Sequence, residues 1–288
     1  MTNLACNVIT TACDHPDRVA LRLNGTEIRY RDLDAMTAGL AGLLIARGLR
    51  PGDRVGVMLP NVPHFAVVYY GVLRAGGVVV PMNVQLKERE ATFQLADSGA
   101  VAVIAWHDVA MVAAAGAAAA NADCIVVTPS EFEEWIGAVD PRPEPVARED
   151  SDTAVILYTS GTTGTPKGAE LSHANLLRNT ACIVDMLKLT PRDVIVGALP
   201  LFHAFGQTVG LNAAVAVGAC LTLLPRFSPE KLLEIVARDG ATIMQGVPTM
   251  YAAALHCDAR PDTSSLRLCV SGGAAMPVEV MRAFENAF

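Results

Sequence analysis

Aromatic residues make up only 5% of this 288-residue chain and charged residues only 18%. The charge that is present favours acid, with a formal net charge of −7 and no Lys/Arg cluster. A broad polyanion-binding face needs the opposite balance, so a nucleic-acid partner is excluded. Any phosphate site must then be a local device of backbone amides and a few side chains. The seven cysteines are scattered, odd in number and never spaced C-x-x-C, which argues against a metal knuckle or a disulfide framework and for buried free thiols in a reducing compartment. The first eleven residues lack the charged flank and apolar run of a signal peptide. The most apolar stretch, Val194–Leu224, is broken by Pro200, His203, Gln207, Asn212 and Gly218. It reads as strand, loop, buried helix and strand, with no transmembrane segment. A cytoplasmic location is the expectation. Hydrophobic residues, by contrast, are plentiful at 52%, enough for a large packed core.

The order of local patterns points to α/β architecture. Val19–Leu23 and Glu27–Tyr30 flank Asn24-Gly25, a pair suited to a tight hairpin turn. Apolar residues at three- and four-residue spacing predict a helix over 32–47, with Gly48 as its stop. Short β-rich runs at 54–59, 78–81, 101–105 and 124–128 then alternate with helical stretches at 63–75, 87–97 and 108–120. After a stiff, exposed proline-rich connection at 140–150, strands are expected at 154–158, 194–199, 220–224, 242–245 and 268–271. Ser228-Pro229 is a good helix start. This alternation predicts two stacked α/β layers with largely parallel sheets. One is expected to span 50–175 with a phosphate loop near its end, the other 1–49 plus 176–288.

That loop is the most informative stretch. Between Thr159 and Gly168 it contains Thr159, Ser160, Thr162, Thr163 and Thr165 as hydroxyl donors, Gly161, Gly164 and Gly168 as glycines, and Lys167. Glycine lets the backbone approach a ligand and turn successive amides into one concavity. Hydroxyls donate to phosphate oxygens, and lysine adds a mobile positive charge. Such a loop can hold the β- and γ-phosphates of ATP while displacement occurs at the α-phosphorus. The spacing fits neither a Walker loop, where lysine directly precedes Ser or Thr, nor a dinucleotide fingerprint.

Tyr158–Gly168 resembles the AMP-binding signature of the adenylate-forming superfamily, which includes acyl-CoA synthetases, aryl-CoA ligases, luciferases and peptide-synthetase adenylation domains. Pro51–Val55 and Gly71–Pro81 extend the resemblance. Three further motifs are similar to family segments. In Leu199–Gly206 a strand ends at a proline and delivers Phe202 and His203 to a loop rim, the place where α/β sheets bind ligands. The resemblance implies that His203 lies beside the substrate carboxylate and the α-phosphate, orienting the acid and stabilising charge. It also implies that Phe202, Gly206, Gly246, Val247 and Thr249 border an acyl pocket. Gly272, Gly273 and Ala274 then flank the adenine.

The implied fold is an incomplete N-terminal domain of the acyl-CoA synthetase/luciferase type. The family's next motifs, a Tyr-Gly-x-Thr-Glu segment, a ribose-binding aspartate and a C-terminal domain with a catalytic lysine, have no counterpart in the 288 residues. The implied reaction is activation of an acid by ATP and Mg2+ to an acyl-adenylate, then transfer to coenzyme A. The small apolar residues after Phe202 favour an aliphatic tail, hence a fatty acid, with little turnover expected of this chain alone. Two alternatives stay open: an aryl, short or amino acid as substrate, and a non-catalytic nucleotide-binding short form.

Overall fold

The computed structural model describes residues 2–159 and 165–288. The strands are β1 (Val19–Leu23), β2 (Thr26–Arg29), β3 (Arg54–Met58), β4 (Val78–Pro81), β5 (Ala100–Trp106), β6 (Asp123–Val127), β7 (Thr153–Thr159), β8 (Lys167–Ser172), β9 (Val194–Gly197), β10 (Cys220–Leu223), β11 (Ile243–Gly246) and β12 (Leu268–Ser271). The α-helices are α1 (Cys6–Asp14), α2 (Tyr30–Ala46), α3 (Pro63–Arg74), α4 (Glu88–Ser98), α5 (Ala110–Ala120), α6 (Pro129–Gly137), α7 (His173–Met186), α8 (Ala213–Val217), α9 (Pro229–Asp239), α10 (Pro248–His256) and α11 (Val278–Ala287).

Two six-stranded sheets result. One runs β6-β5-β3-β4-β7-β8 and the other β12-β11-β9-β10-β1-β2. Each is parallel except for an antiparallel edge hairpin, β7–β8 in the first and β1–β2 in the second. Successive strand residues face opposite sides, and the burial follows that rule. Val55, Val57, Val79, Ile104 and Val155 of the first sheet join Ile195, Leu221, Leu223 and Ile243 of the second in one central cluster. Their sequence neighbours Val78, Val80, Val103 and Ile156 pack outward under α4 and α5, while Val196 and Met244 pack under α9 and α10. Between the sheets lies α3, in which every residue except His64 is buried. This is the expected α/β fold of two stacked, largely parallel layers.

Local chemistry accounts for the element ends. Asn24 and Gly25 both have positive φ, 49° and 85°, as a tight hairpin turn requires. Ser228 accepts a hydrogen bond from Lys231 N at 3.2 Å with Pro229 following it, and Ser172 caps α7 by accepting from Asn175 N.

Several elements depart from the sequence reading. Helices α1 and α6 were not expected, because each is short and its apolar residues make no long periodic run. β8 was not expected either, since its residues Lys167–Ser172 are mostly exposed and polar. The proline-rich segment is exposed but also strapped down. Arg142 N donates to Ala38 O, Val146 N donates to Arg74 O, and the buried Arg74 guanidinium reaches Asp34, Thr37 and Pro143 O. Of the cysteines, only Cys220 and Cys257 are buried, while Cys13, Cys182 and Cys269 are exposed, so the expectation of buried thiols fails for those three. Among the described residues no helix is long and apolar enough to cross a membrane.

Candidate active site

Parallel strands direct the loops at their carboxyl ends to one edge, and six such loops meet here. A cavity of about 620 Å3 is lined by Pro60 and Asn61 after β3, Asn83–Gln85 after β4 and Ala198–Pro200 after β9. Leu224–Phe227 after β10, Val247 and Met250 after β11, and Gly273 after β12 complete it. Both sheets therefore contribute to a single crevice at their carboxyl edges, the usual ligand position in open α/β sheets.

Five residues singled out by sequence come together on this wall: Phe202, His203, Gly206, Val247 and Gly273. His203 stands open to the cavity, its ring 4.6 Å from that of Phe202. Partial desolvation lowers its pKa from the ordinary imidazole value, which favours the neutral ring at pH 7. The loop around it is tight. His203 N donates to Pro200 O at 3.1 Å, and Gln207 N donates to His203 O at 2.9 Å. A Cβ at Gly206 would lie 2.4 Å from Pro200 O and 2.8 Å from Leu199 O, so only glycine fits there. Gly206 opens a turn of π-helix, Gly206–Asn212, a form that recurs at functional sites.

Other expected residues lie off this wall. Gly246 is buried below it, its carbonyl accepting from Gly272 N at 3.1 Å, and Thr249 is exposed outside the lining. Gly272 sits against Phe205, where a Cβ would come within 2.7 Å of the ring. Ala274 is exposed and Gly273 has φ 78°. Of the phosphate loop, Ser160, Gly161, Thr162, Thr163 and Gly164 lie outside the described residues. Its two ends are described: Thr159 pairs with Lys167 across the β7–β8 hairpin. Because β7 runs parallel to β4, Thr159 leaves its sheet at the same carboxyl edge as the cavity-lining Asn83–Gln85. Gly168 is required by close approach, since a Cβ would meet Ile156 Cγ2 at 2.8 Å.

Sequence reasoning missed Asn61, Phe205, Arg226 and Phe227. Asn61 follows Leu59-Pro60 directly after a strand, the same strand-then-proline signal that drew attention to His203. Arg226 adds to the lining a cation that the apolar reading of the pocket did not include.

A profile of the AMP-binding enzyme family matches residues 9–288. The chain belongs to the AMP-binding enzyme family. Within it, a long-chain-fatty-acid–CoA ligase of Bacillus subtilis (strain 168) is 33% identical over 96% of this chain and 56% of its own length. A feruloyl-CoA synthase of Amycolatopsis sp is 36% identical over 92% of this chain and 53% of its own. ATP-bound MatB from Rhodopseudomonas palustris superposes with a TM-score of 0.91 at 32% identity, covering 99% of this chain and 57% of MatB. The chain thus spans about half the length of the relatives it matches. The first two of these relatives are named for joining an acid to CoA, and their acids differ in kind.

The family implies Mg2+ as well as ATP. Among the described residues no group of three His, Cys, Asp or Glu side chains could hold a metal ion, and the cavity lining contains no carboxylate. The donors on this wall do not fit a protein-held magnesium site, and no step is assigned to one.

Proposed function

We propose that this chain carries the acid- and nucleotide-binding surfaces of an ATP-dependent acid–CoA ligase, with a fatty acid as the acid. The observation that carries the reading is the shared crevice: loops from both sheets bring His203, Phe202, Gly206, Val247 and Gly273 to one wall. In the first half-reaction a carboxylate oxygen attacks the α-phosphorus of ATP. An acyl–phosphate bond forms and pyrophosphate leaves. In the second, the thiol of coenzyme A attacks the acyl carbon, AMP leaves, and the thiol proton passes to solvent.

Each of the expected segments has a task in this reading. His203, neutral at pH 7, orients the carboxylate by a hydrogen bond and offsets charge as it attacks. The segment from Thr159 to Lys167, with Ser160, Gly161, Thr162, Thr163 and Gly164 between, grips the β- and γ-phosphates. Gly272, Gly273 and Ala274 give the adenine a flat backbone surface. Phe202, Gly206 and Val247, which line the cavity, border the acyl chain. The lining is mostly apolar, which supports an aliphatic tail, although Arg226 also favours an acid with a polar far end.

The chain spans about half the length of its relatives, and in this reading it binds substrates and turns over little by itself. Pyrophosphate exchange with fatty acids of graded length tests this, run on the chain and on a C-terminally extended form. Exchange dependent on fatty acid in the longer protein and near background in the shorter supports the proposal. Exchange only with aryl or amino acids would overturn the choice of acid.

A further inference from the structure

We propose that Asn61 and Gln207 form a clamp on Leu201 that positions the His203 loop for the reaction, an inference that rests on the ligase reading above. Asn61 belongs to the first sheet's β3 exit, yet all its polar bonds go to the second sheet's β9 exit. Its Nδ2 donates to Gly197 O at 3.0 Å and Leu199 O at 2.8 Å, and its Oδ1 accepts from Leu201 N at 2.9 Å. Asn61 is only 5% exposed, so solvent is poorly placed to replace those bonds. From the other side Gln207 Nε2 donates to Leu201 O at 3.3 Å. Both peptide groups of the residue two before His203 are therefore held by side chains.

Gln207 is itself fixed from below. Tyr69 Oη donates to Gln207 Oε1 at 3.4 Å, Asn212 Nδ2 donates to Tyr69 Oη at 3.3 Å, and Tyr70 Oη donates to Asn212 Oδ1 at 2.7 Å. All four side chains are buried. The chain of bonds starts on α3, between the sheets, and ends at the loop bearing the histidine. The backbone at Gly206 closes the remaining side, against Pro200 O and Leu199 O. Every bond Asn61 makes thus falls within six residues of His203, and Asn61 also lines the cavity. A positioned loop is what a carboxylate-orienting group needs, since a displacement of about 1 Å at a reacting group can cost roughly 100-fold in rate.

The alternative is that Asn61 merely ties two parts of the fold together. The molecule contains a matched control for that. Asn3 is equally buried and equally bonded: its Nδ2 donates to Leu73 O at 2.8 Å and Val146 O at 2.9 Å, and its Oδ1 accepts from Ala5 N at 2.9 Å. Asn3 does not line the cavity. Asn61→Ala and Asn3→Ala remove the same set of bonds, one at the His203 loop and one away from it. Gln207→Met keeps the side-chain volume and releases the Leu201 carbonyl together with the Tyr69 hydroxyl.

The test has two readouts. In isotope-labelled 288-residue protein the His203 ring is titrated by NMR, its signal identified by loss in His203→Gln. In the C-terminally extended protein, pyrophosphate exchange gives kcat and the KM for ATP. Asn61→Ala and Gln207→Met should raise the His203 midpoint toward the ordinary imidazole value. They should also lower kcat by roughly 10–100-fold with KM for ATP little changed. Asn3→Ala, at comparable thermal destabilisation, should do neither. The clamp is overturned if Asn3→Ala matches Asn61→Ala in both readouts, or if every clamp variant that folds keeps the wild-type His203 titration. Absence of exchange in the wild-type extended protein would remove the ligase reading but leave the titration comparison standing.

Discussion

Gly206→Ala puts the tightest part of the site under stress by one methyl group. A Cβ built there would sit 2.4 Å from Pro200 O, 2.8 Å from Leu199 O and 2.9 Å from Pro200 C. All three are backbone atoms, so no side-chain rotation relieves the contact. Restoring ordinary van der Waals separation needs about 1 Å of movement in the 199–203 loop or in the π-helical turn. Overpacking of this kind costs about 1–3 kcal/mol, which in a chain of this size lowers Tm by roughly 2–12 °C. The same displacement at His203 should cut adenylation in the extended enzyme by roughly 100-fold. Gly210→Ala, on the same turn, is the internal comparison, because its Cβ would meet only Gln245 Oε1 at 3.6 Å and Leu221 Cδ1 at 3.9 Å. It should fold with near wild-type stability. Thermal melts followed by circular dichroism, paired with pyrophosphate exchange, read both effects. Equal stability of Gly206→Ala and wild type would refute the reasoning, as would equal damage from Gly210→Ala.

Two further expectations concern the histidines. His173 is fully buried and accepts from Leu4 N through Nδ1; burial, then repulsion from Arg148, pushes its pKa down to about 4. The fold therefore favours the neutral ring, and the unfolded chain binds the extra proton between about pH 6.5 and 4. Stability should be complete above about 6.5 and fall by on the order of 3 kcal/mol as pH drops to 4. His173→Gln should flatten that window in urea titrations, and an unchanged pH slope would contradict the assignment. At His203, replacement by alanine should lower exchange by roughly 100-fold or more while leaving the melt near wild type. Full activity in that variant would remove its proposed role.

How much of this could be read from sequence depended on which physical signal dominated each segment. Buried strands such as Val78–Pro81 and Cys220–Leu223 appear where they were expected, because continuous apolar runs between turn residues leave few alternatives. The hairpin turn at Asn24-Gly25 was legible for the same reason: few residue pairs adopt two positive φ values. β8 was not legible, since its partner on one side is β7 and its other residues face solvent, so no apolar pattern marks it. The site was legible where chemistry is concentrated in a short motif, as in Leu199–Gly206. It was not legible where it depends on a contact between distant elements. Asn61 and Gly197 are 136 positions apart, and only the packing of one sheet against the other reveals that they meet. Arg226 likewise reads as one more surface cation until the β10 exit is seen to border the crevice.

The account rests on nucleotide phosphates being gripped by the segment that ends at Lys167. Calorimetric titration of ATP into the wild-type chain and into Lys167→Ala tests it most directly. Loss of one charge-assisted contact should weaken binding by roughly 10–100-fold while the melt stays unchanged. Identical isotherms for the two proteins, or no ATP binding by the wild type, would contradict it.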